Sequence, residues 1–557
     1  MVRTVSVRRK SQRSTGAVAV LALVAALLAP ARPTAATAAA APQIDWVACR
    51  DGFQCASVQV PLDHDRPDEA KISLALIRLP AASPSRRIGS VFVNPGGPGG
   101  SGVDLVRGVA KYVPLELRAR FDIVGFDPRG VARSTPLRCF RTFDELISIL
   151  PPFAFPLTPE EEDIQRASDE ALASACDSRG GPLLDHMATA DVARDLDLLR
   201  QAVGDEKLNY LGYSYGSYLG TTYANLFPDR TRALVVDAVL DPIAWSTGRG
   251  TQARTLPFST RLKSDVGAQR TLLEFFRLCD AAGADCAFSG DARQRYAALA
   301  RSLREDPIEI VLPGGETFLF TYADLIGVTF GALYAAFIWP DLAEFLAAIE
   351  AEASAPAVGQ RLAALRAGLG LDAEQEPYPN FIEAFYGVSC SDSENPDTFD
   401  AWQTAADQTE HEHGYFGRLV TWRSSPCLPW PGADQDRYLG PWNARTASPV
   451  LVVGNFFDPA TRYLGAVTLS KLLPNSRLLS YAGWGHAAFL AAGNFCVNSA
   501  VVNYLLTTQV PPAGTVCQPE GSPFGPLEAA AAARAAGGGA IQAATLPEAV
   551  RRALRAR

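Results

Sequence analysis

The chain has 557 residues, 48% of them hydrophobic and 20% charged, a globular composition that excludes a disordered, collagen-like or coiled-coil protein. Its formal net charge is −8, and an acidic surface without basic clusters argues against nucleic acid or anionic lipid as a partner. One large domain carrying an insertion accounts for the length better than several small domains.

The first 41 residues hold six cations and no acids, so the remainder carries −14. Arg3, Arg8, Arg9, Lys10 and Arg13 precede an apolar run over 17–28 and then Ala-rich sequence to Pro42, the order of a signal peptide cleaved between about Ala35 and Ala41. That run is shorter than the ~20 residues that span a bilayer, which weakens the alternative of a membrane anchor. The Arg8-Arg9 pair lacks the apolar residues of a twin-arginine signal, and no Cys follows closely enough for a lipoprotein. Ten cysteines come after it, and an even count in an exported chain reads as disulfides. Pairing neighbours (Cys49 with Cys55, Cys139 with Cys176, Cys279 with Cys286, Cys390 with Cys427, Cys496 with Cys517) closes the shortest loops. Other connectivities stay open, and metal ligation, the competing reading, lacks its C-x-x-C spacing.

From Ala56 to Val239 short apolar runs alternate with helical stretches, the pattern of a mainly parallel sheet with crossover helices. Strands are predicted over 56–60, 72–78, 90–94, 121–126, 208–212 and 233–239. A helix over 190–203 puts Val192, Leu196, Leu199 and Val203 on one face. Between Asp241-Pro242 and Ser448-Pro449 the texture turns helical, as at 341–351 and 360–368, before strands resume at 450–455 and 477–481. The expected organisation is a signal peptide (1–41), the first part of an α/β core (42–242), a helical cap or lid (243–447), the second part of the core (448–525) and an Ala/Arg-rich tail (526–557).

Within this frame Leu208 to Gly216 reads LNYLGYSYG and leads into a helix-like stretch. A G-x-S-x-G between strand and helix forms a strained turn that projects Ser214 Oγ, with the Tyr215 N–H and the helix N-terminus positioned to stabilise negative charge. Such a serine needs a base, and histidines are scarce: His64, His186, His411, His413 and His486. His486 follows the last predicted strand and precedes Ala487 to Ala492, expected to be helical, which is where an α/β-hydrolase presents its base. His411 and His413 do not have H-E-x-x-H spacing and read as a solvated helix face. The acid is expected after the strand 450–455, where Asp458 stands in NFFDPATR; Asp241 is its rival. The chain order Ser214, Asp458, His486 is the one this fold requires. VFVNPGGPGGSG over 91–102 lets a backbone approach a carbonyl closely, and it lacks the Lys-Ser/Thr of a phosphate-binding loop.

Together, the NPGGPGGSG loop, FDIVGFDPRGVARSTP at 121–136, TADVARDLDLLRQAVG at 189–204, NYLGYSYGSYLG at 209–220 and DPATR at 458–462 resemble the secreted tripeptidyl aminopeptidases of actinobacteria. These are proline-iminopeptidase-like serine peptidases of the α/β-hydrolase superfamily, and the resemblance covers roughly residues 45 to 520. It implies an α/β-hydrolase fold, with a mostly parallel sheet of about eight strands and a large, mainly helical cap inserted after the sixth strand. It further implies a Ser214, Asp458, His486 triad, with the backbone amides of Gly97 and Tyr215 as oxyanion donors; Gly96 adjoins the first of these. Ala132 stands where the family commonly has Gly.

The implied activity is a secreted exopeptidase that releases tripeptides from free N-termini without metal or organic cofactor, on peptide substrates and without stable membrane insertion. An extracellular carboxylesterase or other acyl hydrolase using the same triad is the alternative. Holding a free ammonium calls for a carboxylate in the cap. Glu383, Asp392 and Glu394 are the candidates, and Asp392 in GVSCSDS resembles the family's Cys-x-Asp segment.

Overall fold

The computed structural model describes residues 40–351, 354–369, 371 and 378–525, together with Ser6, Gly539 and Ile541. Nearly all of the expected signal peptide and of the expected tail over 526–557 lies outside the described residues. Twelve strands follow in chain order: β1 (Val47–Ala48), β2 (Gln54–Pro61), β3 (Lys71–Leu79), β4 (Gly89–Asn94), β5 (Phe121–Phe126), β6 (Leu208–Tyr213), β7 (Thr231–Asp237), β8 (Ile308–Val311), β9 (Thr317–Phe320), β10 (Val450–Phe457), β11 (Ser476–Trp484) and β12 (Val516–Cys517). Ten of them form one sheet in the order β1-β2-β3-β5-β4-β6-β7-β10-β11-β12. Pairing is antiparallel from β1 to β3 and between β3 and β5, and parallel from β5 across to β12. The eight long strands are those expected from the apolar runs. Two-residue β1 and β12 extend the edges.

Alternation along each strand sends side chains to opposite faces, and both faces are covered. Val91, Val93, Ile123 and Leu211 pack with Val103 and Val106 of the helix Gly102–Val109 and with Val497 and Val501 of the helix Phe495–Thr507. Phe92, Val124 and Tyr210 face Leu196 and Leu199 of the helix Thr189–Ala202 and Leu219 of the helix Tyr215–Leu226. The chain between β7 and β10 is mostly helical and has an apolar cluster of its own, built from Phe275, Tyr296, Leu325, Trp339, Phe345 and Leu362. It also contains the unexpected antiparallel pair β8 and β9. Four-residue strands are too short for alternation to stand out in sequence. All five disulfides join neighbouring cysteines: 49–55, 139–176, 279–286, 390–427 and 496–517.

Two motifs of the amino-terminal half owe their residues to buried polar joints. The fully buried Arg129 of DPRG donates to the carbonyls of Pro61, Leu62 and His186 and pairs with Asp195 at 2.8 Å. Ala132 sits at φ 44°, a conformation that costs an L-residue energy and that glycine adopts freely. Its N–H donates to Asn380 Oδ1 (3.0 Å), and Asn380 Nδ2 donates back to the carbonyls of Gly130 and Leu137.

Asp392 makes the other joint between the inserted block and the sheet layers. It ends the helix Phe381–Asp392, and it is buried. Oδ1 accepts the Thr189 N–H (2.8 Å), while Oδ2 accepts Thr189 Oγ1–H (2.6 Å) and the Trp245 indole N–H (3.2 Å). The Tyr215 hydroxyl bonds Thr189 Oγ1 in turn. Both oxygens are therefore engaged by the protein, and the expected role of receiving a substrate ammonium does not fit this position. Burial pushes its pKa up to about 7. A carboxyl raised in the folded state stabilises fully below its unfolded value near 4 and loses that contribution as pH climbs through the folded one. Denaturant titrations of wild type and Asp392→Asn should therefore show the wild-type advantage shrinking between pH 5 and pH 8.

Candidate active site

β6 ends at Tyr213 and the helix Tyr215–Leu226 begins two residues later, leaving Ser214 as the hinge at φ 56°, ψ −124°. That backbone is strained for a non-glycine residue, and the close quarters dictate the flanking glycines. A Cβ on Gly212 would lie 2.2 Å from the Gly216 carbonyl oxygen. One on Gly96, in the loop after β4, would lie 2.5 Å from Tyr213 O and 2.8 Å from Tyr215 N, so the glycine loop can rest directly against the serine turn. The Gly96 N–H is committed to Asn94 Oδ1 (2.9 Å). The N–H groups of Gly97 and Tyr215 have no acceptor among the described residues.

His486 and Asp458 meet 28 residues apart in sequence, with Nδ1 3.0 Å from Oδ1 and 3.1 Å from Oδ2. Both are fully buried. Asp458 leaves β10 in a turn whose N–H groups fold back on it: Ala460 and Thr461 donate to Oδ1 (2.8 Å each) and Thr461 Oγ1–H donates to Oδ2 (2.9 Å). These three bonds fix the carboxylate in place. The His486 N–H is held by the Tyr334 carbonyl (2.8 Å), and the Tyr334 ring lies 4.9 Å from the imidazole. Asn455, at the end of β10, donates to the carbonyls of Gly485 and Ala487 and so brackets the histidine.

What brings this turn to the serine is Asp237, the last residue of β7. Its carbonyl accepts the Ser214 N–H (3.0 Å), and its carboxylate accepts the N–H groups of Ala488 (3.0 Å) and Phe489 (2.8 Å). The Tyr213 hydroxyl adds a bond to the Phe489 carbonyl (3.2 Å). Residues 487–492, expected to be helical, are instead a turn, with Ala487 at φ 69° and Leu490 at φ 60°. The Asp237 carboxylate takes amides that a helix would leave open at its start, and the helix begins only at Phe495, capped by Asn494.

The remaining candidates lie elsewhere. Asp241 caps the turn Pro242–Trp245 and pairs with Arg249 at 2.7 Å. Glu383 is buried, takes the Tyr378 hydroxyl (2.5 Å), and has its pKa raised by burial. Glu394 faces Arg437 at 3.7 Å. His413, expected on a solvated face, is largely buried with Nδ1 2.7 Å from Asp265, whereas His411 is exposed. Sequence reasoning misses Asp237, Asn455 and Thr461. The only signal for Asp237 is an acid closing the apolar run ALVVD.

A cavity of about 170 Å³ borders Gly485 and Ala487, walled by Tyr334, Phe337, Trp484 and Glu520; Ser214, Asp458 and His486 do not line it. Among the described residues no helix is long and apolar enough to cross a membrane.

Burial pushes the Asp237 carboxyl up to about 6. Asp237→Ala leaves two buried amides without an acceptor and should cost about 3 kcal/mol. Asp237→Asn keeps one acceptor oxygen and should cost less than the alanine variant, as read from urea midpoints at pH 8.

The family model described as "alpha/beta hydrolase fold" matches residues 89–263 and the one described as "TAP-like protein" matches 413–517. A tripeptidyl aminopeptidase of Streptomyces lividans is 31% identical over 502 residues, covering 87% of this chain and 88% of that one. Serine protease Hip1 of Mycobacterium tuberculosis is 31% identical, covering 85% and 91%. A protein named carboxylesterase B from the same species is 34% identical, covering 86% and 91%. The chain belongs to the tripeptidyl aminopeptidase-like family of α/β-hydrolase-fold serine hydrolases.

Proposed function

We propose that the protein is an exported serine exopeptidase that releases short peptides, tripeptides foremost, from free N-termini, with Ser214, His486 and Asp458 as its triad. Residues 1–41 act as the signal peptide and 243–447 as the cap. The observation that carries the reading is the buried His486–Asp458 pair tied through Asp237 to the strained Ser214 turn. Relatives named as tripeptidyl aminopeptidase and serine protease supply the substrate class.

The chemistry follows from the donors and acceptors. With Nδ1–H given to Asp458, Nε2 is the basic nitrogen of His486, and it takes the Ser214 proton as Oγ attacks the scissile carbonyl. Asp458, held in place by three donors, offsets the imidazolium that forms. The amides of Gly97 and Tyr215 receive the oxyanion, His486 returns the proton to the leaving amine, and water resolves the acyl-enzyme by the same route. No step requires a metal or organic cofactor.

An esterase reading has its own support in the relative named carboxylesterase B, and the triad alone does not distinguish ester from amide. Hydrolysis of a tripeptide p-nitroanilide with a free N-terminus, its N-acetylated twin and a short-chain p-nitrophenyl ester separates the two, with Ser214→Ala as the blank. The free anilide should be cleaved at least tenfold faster than the acetylated one. Turnover of the ester alone would overturn the peptidase reading, and undiminished rates in Ser214→Ala would overturn the triad. The alanine variant should fall by a factor of about 10³ or more while its unfolding midpoint holds.

A further inference from the structure

Arg423 follows the helix Gly417–Trp422 in the block between β7 and β10. Its guanidinium is partly buried, with Cζ 4.8 Å from the centre of the Phe385 ring. Among the described residues it has neither a hydrogen bond nor a carboxylate partner. Other arginines set into the interior do: Arg129 donates to Asp195 and to the carbonyls of residues 61, 62 and 186, Arg261 donates to carbonyls of residues 244, 245, 246, 256 and 394, and Arg418 pairs with Glu162 and Asp407. Arg423 keeps part of its surface exposed, so donors that meet no protein acceptor are open to a ligand, and the question is which one.

Its neighbours answer by position. Phe385 lies on the helix Phe381–Asp392, which overhangs the glycine loop: a Cβ on Gly99 would be 3.2 Å from Phe385 N, and one on Gly97 would be 3.3 Å from the Phe381 ring. Arg423 also lies within electrostatic range of Tyr334, whose carbonyl accepts the His486 N–H and whose ring is tilted against the imidazole with centres 4.9 Å apart. The charge thus lies against the helix above the glycine loop and within electrostatic range of the residue beside the histidine. The Phe385 ring lies against it, the phenols of Tyr334 and Tyr386 are within electrostatic range, and no ion pair joins it to an acid among the described residues.

We propose that Arg423 is a specificity-determining residue that binds a carboxylate on the acyl side of the substrate, an aspartate or glutamate side chain when the substrate is a peptide. A planar guanidinium with open donors on an aromatic shelf is suited to bidentate recognition of a carboxylate, and the low polarity around it strengthens such a pair. The peptide form of this inference rests on the exopeptidase reading above; the recognition of an anion by Arg423 does not.

The test measures kcat/KM for free-N-terminus tripeptide p-nitroanilides carrying Glu or Gln at each position in turn, and for p-nitrophenyl hydrogen adipate against p-nitrophenyl hexanoate. Wild type should favour the anionic member at one peptide position, and in the ester pair, by about tenfold or more. In Arg423→Met that ratio should fall to near one, and Arg423→Lys should retain part of it. Because each ratio is taken within one protein preparation, a partly unfolded variant does not mimic the result; thermal unfolding of each variant accompanies it. No anionic preference in wild type, or one that survives Arg423→Met, overturns the proposal. If the anilides are inert while the ester pair shows the Arg423-dependent preference, the exopeptidase reading fails and the anion site stands.

Discussion

One carboxylate at the end of a strand holds the two halves of the site together. Asp237 belongs to β7, yet its main-chain carbonyl fixes the Ser214 turn and its side chain fixes the turn after His486, about 250 residues further along the chain. A carboxylate suits the task because it only accepts, and can take several N–H groups at once. Burial disfavours its charge and the two amides favour it; burial wins, which leaves the group with a pKa of about 6. The position therefore trades some stability for a fixed spacing between serine and histidine.

Strain gathers around the same point. Ser214, Ala238, Ala487 and Leu490 all have positive φ, at a cost of order 1–3 kcal/mol each. Such conformations persist only where their surroundings leave no cheaper option. Here the parallel register of β6, β7 and β10 fixes where Tyr213, Asp237 and Val453 stand. Asn455 then ties the carbonyls on both sides of His486 to β10, and Thr461 closes the Asp458 turn on itself. The imidazole is held at Nδ1 by Asp458, along its backbone by the Tyr334 carbonyl and at its side by the tilted Tyr334 ring.

What can be read from the sequence divides along the range of the interaction concerned. Parallel strands buried on both faces announce themselves as apolar runs, and the serine turn does so because only glycine fits at Gly212 and Gly216. Asp458 and His486 are legible through chain order, since each follows a strand at the same end of the sheet. The turn over 487–492 reads as helix because its alanines favour one locally, and the group that overrides them, Asp237, is remote in sequence. Asp392 misleads for a similar reason: the local pattern places an acid on a helix beside a disulfide but does not say that Thr189 and Trp245 already claim it. The same remoteness hides Asn455, whose partners are main-chain carbonyls 30 and 32 residues away without any sequence signature.

The joints between the inserted block and the sheet layers are polar and enclosed, which bears on how selection works. Asn380 grips the loop after β5 through three bonds, Asp392 reaches Thr189 and through it the Tyr215 hydroxyl, and Arg261 gathers carbonyls from both sides of the segment that leaves β7. An apolar contact tolerates sliding, whereas separating a buried hydrogen-bonded joint strands its donors and acceptors. The helix Phe381–Asp392 is consequently held in one position over the glycine loop. Tyr215 carries this constraint into the serine turn itself, because its hydroxyl belongs to the Asp392 joint while its N–H stands beside Gly96. A wall anchored to the residue next to Ser214 keeps its distance from the Ser214 turn, so any difference in what fits against it is set by the side chains on that wall rather than by its movement.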